Sequence, residues 1–352
     1  MTHSLRVLWS ILLIVLPLGT VGCGGGGLTV TRINSEQKKP NNVWVFFTVE
    51  RGEEPVGGLE AKDFKIYEDD KLVSEYESKQ TIQNPEVAAV MYTLLLLDVS
   101  ASITDSGQID QIVDAAQLFS ERVGKTQKVG VYAFDGSEKI HSVVPFTEAE
   151  GSVKGGIEGL RSFKPKDPST NLHGAVVQGL ETLKEGLEKE KKPLKFGTLV
   201  VFSDGADRAS HVSRDEMMAQ IDKEEYANYQ MFAIGIGDPA ELESAQLGDI
   251  GRDGTEEGSD RAKVKESFER IAAKIEAHSK RFYLLSYCTP SRKGQHVVRI
   301  EVDSEKAQGK GSLEYTFVAD GFGPPPDCDP ERKPTFKLDD VEQKPDANQA
   351  SK

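Results

Sequence analysis

Three oxygen-bearing side chains stand at alternate positions directly after an apolar run. Leu94-Leu95-Leu96-Leu97 stops at Asp98, and Ser100 and Ser102 follow. The run reads as a strand of a parallel sheet buried on both faces. Its polar continuation falls where such sheets bind ligands, beyond the carboxyl end of a strand. Asp98, Ser100 and Ser102 are hard oxygen donors, which suit Mg²⁺, Mn²⁺ or Ca²⁺ rather than zinc. One loop does not make a metal cradle. Two more stretches supply oxygens: Thr170 opens a helix in Ser169-Thr170-Asn171-Leu172, and Asp204 follows a second buried strand in Phe202-Ser203-Asp204-Gly205. Taken singly, Thr170 reads as a helix cap and Asp204-Gly205 as a turn. Jointly, on three loops at one sheet edge, the five read as a site for a divalent cation.

The elements that must hold these loops follow from periodicity. Strands are expected at Val90–Leu97, Lys128–Phe134, Gly197–Ser203, Gln230–Gly237 and Arg281–Tyr287, with an edge strand at Ile140–Pro145. Helical spacing predicts helices over Gln108–Val123, Ser152–Leu160, Leu172–Leu187, Arg214–Glu224 and Ala262–Glu276. Glu241–Asp260 reads as a Gly- and acid-rich loop. Repeated strand–helix units of this length imply an α/β domain, a doubly wound and mostly parallel sheet with helices on both faces. On either side the chain alternates instead. Val43–Glu50, Phe64–Glu68 and Leu72–Tyr76 precede the α/β unit, and Gln295–Val302 and Ser312–Ala319 follow it. These flanks are expected to form a small β-sandwich from N- and C-terminal segments, with the α/β unit inserted between them. The organisation expected is a signal peptide over 1–22, a flexible tether over 23–41, an N-terminal β segment over 42–86, the α/β domain over 87–287, a C-terminal β segment over 288–322 and a disordered, polar tail over 323–352.

Asp98-x-Ser100-x-Ser102, Thr170 and Ser203-Asp204-Gly205 resemble the metal-ion-dependent adhesion site of von Willebrand factor A domains, and the strand–helix pattern from about Val87 to Tyr287 fits that Rossmann-like family. The resemblance implies direct ligation by Ser100 and Ser102. It implies ligation by Thr170 directly or through water, and water-mediated roles for Asp98 and Asp204. It implies Mg²⁺, with Mn²⁺ and Ca²⁺ as alternatives, and a coordination place open to an acidic side chain of a protein partner. Pro55-Val56-x-Gly58-Leu59, Asp63-Phe64-x-Ile66-Tyr67-Glu68-Asp69 and the strand Phe282–Cys288 resemble the flanks of this domain in bacterial relatives.

Other candidates have simpler readings. Asp135 and Asp207 lie near the same edge and read as solvated surface. Gly235-Ile236-Gly237-Asp238 lacks the Lys-Ser/Thr of a phosphate loop. Asp249 and Asp253 do not have EF-hand spacing. The six histidines form no His-x-x-x-His pair, and His173 reads as a helix-surface residue.

The N-terminus carries Arg6 and an apolar run from Val7 to Leu18, too short to span a bilayer and suited to a signal peptide. Thr20-Val21-Gly22-Cys23 resembles a bacterial lipobox, with Cys23 as the lipidated residue; Thr20 stands where that pattern favours Leu, so ordinary cleavage and an uncleaved anchor are alternatives. The other cysteines, Cys288 and Cys328, are an even pair suited to a disulfide in an oxidising compartment; two unrelated thiols are the alternative. The net charge of −14 disfavours nucleic acid and an anionic membrane surface as partners, leaving a lipid anchor as the one membrane contact. The expectation is an exported lipoprotein of the bacterial envelope, in the periplasm or at the outer membrane, that binds protein and is not an enzyme. A metal-stabilised structural protein and a metal-assisted hydrolase are the competing readings; no Gly-x-Ser-x-Gly or His-Glu-x-x-His supports the last.

Overall fold

A computed structural model describes residues 27–336, apart from 53, 84, 148–149, 193, 259–262 and 325–326. The expected signal peptide, Cys23 and residues 337–352 of the tail lie outside the described residues. The strands are β1 (Thr29–Lys38), β2 (Asn42–Arg51), β3 (Glu54–Pro55), β4 (Phe64–Glu68), β5 (Lys71–Leu72), β6 (Thr81–Gln83), β7 (Ala89–Asp98), β8 (Lys128–Phe134), β9 (His141–Thr147), β10 (Leu194–Ser203), β11 (Gln230–Ile236), β12 (Gly254–Gly258), β13 (Phe282–Cys288), β14 (Gln295–Ser304) and β15 (Gly309–Val318). The helices are α1 (Glu75–Ser78), α2 (Ala101–Thr104), α3 (Ile109–Val123), α4 (Glu150–Glu158), α5 (Leu172–Glu188), α6 (Arg214–Ile221), α7 (Pro239–Ala245), α8 (Leu247–Ile250) and α9 (Val264–Lys280).

The central sheet has the order β12-β11-β10-β7-β8-β9, parallel throughout except for the antiparallel edge strand β9. The apolar run explains the position of β7. Leu95 and Leu97 face a core built with α3 and α9, while Leu94 and Leu96 face a second core built with α5, α6 and α8. All four are fully buried, as a strand covered by helices on both faces requires. α3 earns its place through Ile109, Ile112, Val113, Ala116, Phe119 and Val123, one apolar stripe at helical spacing. α5 lies close because of Gly179: a β-carbon there would sit 2.8 Å from Leu96 Cδ1 and 3.2 Å from Leu199 Cδ1.

Two antiparallel sheets flank this domain. One has the order β1-β2-β13-β6, with β3 on β2; the other has the order β15-β14-β4-β5. They enclose a core that includes Val45, Phe47, Phe64, Ile66, Leu285 and Ile300. The α/β domain leaves the first sheet after β6 and returns to it at β13, and these two strands are hydrogen-bonded neighbours. The sandwich therefore packs against the N-terminal ends of β7 and β10, where Ala89 and Leu194 meet Trp44, Phe46, Phe282 and Leu284.

Several boundaries differ from those read in the sequence. Residues 29–38, expected in the tether, form β1, ten residues paired to β2. Their sequence is polar because β1 is an edge strand held largely through its backbone. Phe282–Tyr287, assigned to the α/β domain, belongs to β13, a central strand of the sandwich. Glu241–Asp260, expected as a loop, contains most of α7 together with α8 and β12. The first fourteen residues of the expected disordered tail, to Phe336, include a segment docked on the first sandwich sheet, with Phe336 buried. Cys288 and Cys328 form a disulfide that closes a loop of 40 residues.

Candidate metal centre

β7 and β10 are adjacent parallel strands, and β8 lies on the other side of β7. Successive connections diverge here, which makes the gap beyond the ends of β7 and β10 the switch point of the sheet. Asp98 ends β7 and Ser203 ends β10, so both strands deliver their polar residues to this gap.

The residues form one hydrogen-bonded chain. Ser203 Oγ donates to Asp98 Oδ2 at 2.7 Å, and the Ser100 N–H donates to Asp98 Oδ1 at 2.9 Å. Ser100 Oγ and Ser102 Oγ lie 3.0 Å apart, and Ser102 Oγ donates to Asp204 Oδ1 at 2.9 Å. Asp98 and Ser100 are fully buried, Thr170 and Asp204 are buried, and Ser102 is exposed. The site is thus a buried floor with one hydroxyl at its mouth. Burial, then the nearness of Asp204, push the Asp98 carboxyl up to about 7, against the hydrogen bonds from Ser100 and Ser203.

Thr170 comes in on the third loop, positioned through its backbone. Its carbonyl accepts from Arg208 N at 2.9 Å and Ala209 N at 3.0 Å, which ties it to the Asp204 loop. The Ala101 N–H donates to Pro168 O at 3.1 Å, which ties the same loop to the first. The structure therefore links Asp98, Ser100, Ser102 and Asp204 in one series, its first step made by the Ser100 backbone N–H and the others by side chains. It brings Thr170 beside them through the chain, and the Thr170 hydroxyl is not a link in that hydrogen-bonded series.

Two aspartates read as solvated surface are supports of these loops. Asp135 is fully buried at the end of β8. Its Oδ1 accepts from Ser137 N at 2.8 Å and faces His141 Nε2 at 3.3 Å; its Oδ2 accepts from Lys166 N at 2.7 Å and Asp167 N at 3.4 Å. Burial works to raise its pKa, but the hydrogen bonds from Ser137, Lys166 and His141 together hold it below the ordinary value. Asp207 accepts from the His173 N–H at 3.1 Å and from Ser210 N at 3.0 Å, and so caps the first turn of α5. His173 is a tie rather than a surface residue, its Nδ1 lying 3.2 Å from Val212 O. The available signal was the grammar of Phe134-Asp135, a buried strand stopping at an acid as Leu97-Asp98 does. Gly237 serves the same edge: a β-carbon there would sit 2.7 Å from Asp204 O. Among the described residues no group of three His, Cys, Asp or Glu side chains forms a metal cluster. That is consistent with a site rich in hydroxyls. The donor set, two carboxylates and three hydroxyls with no nitrogen or sulfur, fits a hard divalent cation.

The geometry defines an α/β domain with an oxygen-lined site at its switch point. Residues 93–206 match the family model of the von Willebrand factor type A domain, and the α/β unit is a domain of that family. Domains of this family are in general interaction or adhesion modules rather than enzymes. Among solved structures, proximal thread matrix protein 1 from the mussel byssus is similar at 16% identity and TM-score 0.42, over 54% of this chain and 48% of that one. The present chain thus spans about half the length of that relative. The von Willebrand factor domain of the type V pili tip protein Mfa5 from Porphyromonas gingivalis is similar at 11% identity and TM-score 0.42, over 55% and 97%. A von Willebrand factor type A protein from Catenulispora acidiphila is similar at 11% identity and TM-score 0.41, over 84% and 73%. Comparison with curated proteins gives no match.

Proposed function

We propose that the chain is an exported envelope protein that grips a protein partner through a divalent cation, Mg²⁺ before Mn²⁺ or Ca²⁺, held by Asp98, Ser100, Ser102, Thr170 and Asp204. The observation that carries this reading is the hydrogen-bonded series from Asp98 to Asp204 at the sheet switch point. A bound cation would supply a centre of positive charge for an acidic side chain of the partner. The protein's own residues set up that contact. Asp98 and Ser203 fix the floor, the Ser100 and Ser102 hydroxyls turn towards one another, and Ser102 lies at the exposed mouth. With hydroxyls as the direct ligands and Asp98 and Asp204 acting through water, the cation would keep positive charge, which favours an anionic partner group.

Export and lipidation at Cys23 rest on the sequence of residues 6–23. The disulfide is in keeping with an oxidising compartment. Among the described residues no helix is long and apolar enough to cross a membrane. The test is capture from an envelope extract by the wild-type chain and by Ser100→Ala, each in Mg²⁺ and in EDTA. The reading expects a partner retained only by the wild type and only with Mg²⁺. A partner retained equally in all four conditions would refute it.

A further inference from the structure

The segment Cys328–Phe336 runs across the first sandwich sheet and is held mainly by its backbone carbonyls. Asn42 Nδ2 donates to Asp329 O at 2.5 Å, and Ser286 Oγ donates to Pro330 O at 2.7 Å. Gln83 Nε2 reaches both Pro330 O and Arg332 O, and Trp44 Nε1 donates to Arg332 O at 2.9 Å. Asp329, Glu331, Arg332, Lys333 and Thr335 are exposed. The segment turns at Pro330–Glu331, where the Arg332 N–H donates to Asp329 O at 3.1 Å, and is anchored at two ends. One end is the disulfide to Cys288. The other is Phe336, 5% exposed, which enters an apolar cluster shared by both domains. Trp44, Phe46, Phe282 and Leu284 belong to the sandwich in that cluster, while Ala89 and Leu194 open β7 and β10 of the α/β domain.

Phe336 is the part of this cluster that the strap contributes; the rest comes from the sandwich sheet and the ends of β7 and β10. The chain crosses between them twice, through Pro85–Val87 and through Arg281 after α9. Among the described residues the seam includes the rings of Phe46, Phe196 and Phe282, the His278 ring against Phe282, and the ion pair of Arg281 with Glu50. We propose that the strap Cys328–Phe336 is a lock: Phe336 wedged into the seam fixes the orientation of the α/β domain on the sandwich, and undocking it lets the domain pivot about its two crossings. This lock does not depend on a metal ion in the Asp98 site. Residues 329–336, tethered by the disulfide at Cys328, can swing off the sheet and return, because each of their polar contacts can be exchanged for water.

The test is a distance measurement between spin labels on the full chain. Glu185→Cys on α5 and Thr316→Cys on β15 place labels at exposed positions of the two domains. Cys23→Ser leaves these as the only free thiols beside the native disulfide. The unaltered strap is expected to give one narrow distance. Phe336→Ala removes the wedge, and Trp44→Phe removes the donor to Arg332 O and part of the indole's volume while keeping a ring in the seam. Both are expected to lose the narrow distance for a broad distribution, with helix and strand content unchanged by circular dichroism. If Phe336→Ala fails to fold, Trp44→Phe decides. A narrow distance retained by the folded variants, or a broad one in the unaltered chain, would overturn the lock.

Discussion

Ser102 Oγ donates to Asp204 Oδ1 across 2.9 Å, joining two loops 102 residues apart in the chain. The same hydroxyl stands 3.0 Å from Ser100 Oγ. Ser102 is therefore a second link between the β7 and β10 sides, beside the bond from Ser203 to Asp98, and the most exposed of the site's polar groups. Ser102→Ala is expected to lower Mn²⁺ affinity by about tenfold or more while leaving the fold intact, since an exposed hydroxyl contributes little to the core. Titration calorimetry with wild type and variant checks this; equal affinities would remove Ser102 from the site.

Asp135 acts at one remove. Its two oxygens hold the backbone of Ser137, Lys166 and Asp167, and the last two lead into Thr170. Asp135→Asn replaces one acceptor oxygen by a donor that faces N–H groups. The expected result is a loss of about 1–3 kcal/mol of stability and a fall of about tenfold in Mn²⁺ affinity, although Asp135 is no ligand. Denaturant unfolding and the same titration measure the two effects. Loss of stability with full affinity would show that the Thr170 loop does not serve the site.

The sandwich core contains a carboxyl group as well as apolar side chains. Glu68 is 4% exposed, and it accepts from Tyr287 Oη at 2.9 Å, Thr289 Oγ1 at 2.7 Å and Ser291 Oγ at 2.6 Å. These bonds tie β4 to the end of β13 and the turn after it. Glu68→Ala strands three hydroxyls and leaves a cavity, and is expected to cost about 3 kcal/mol. Glu68→Gln, which keeps the volume, is expected to cost less. Equal and small losses from both, by urea unfolding, would mean that water replaces the carboxyl at no cost.

Particular residues show what could be read from the sequence and what could not. Leu94–Leu97 announced a strand covered on both faces, and the switch from apolar run to Asp98 and Ser203-Asp204 marked the edge where the loops gather. Each of those signals is local. The pairing of β13 with β2 and β6 is not local: alternation in Phe282–Cys288 specifies a strand but not its sheet. β1 has few apolar residues because its backbone does the pairing. The segment Cys328–Phe336 is held through carbonyls, which side-chain patterns do not report. Asp238-Pro239, a cap followed by proline, was a legible start for α7 inside the acid-rich stretch.

His278 gives the fold a pH dependence of its own. Burial first, and then the charge of Arg281, lower its pKa to about 3. Arg281 can only donate, so His278 Nε2, 2.9 Å from its guanidinium, is the accepting nitrogen of a neutral ring. An unfolded chain takes up a proton at this residue below about 6.5, which the folded chain refuses until about pH 3. The stability tied to His278 is thus full above pH 6.5 and is lost progressively as pH falls towards 3. His278→Gln, which cannot titrate, is expected to show a smaller drop in urea midpoint between pH 7.5 and pH 5 than wild type. An identical drop would assign the acid sensitivity to other groups.

The central claim is that the loops of Asp98, Thr170 and Asp204 hold one divalent cation. The most direct measurement is a titration of the chain with Mn²⁺ followed by electron paramagnetic resonance, on wild type and Ser100→Ala. One ion bound per wild-type chain, displaced by Mg²⁺, with that binding lost in the variant, is the result this account predicts. No bound Mn²⁺ in the wild type, or binding that Ser100→Ala leaves unchanged, would contradict it.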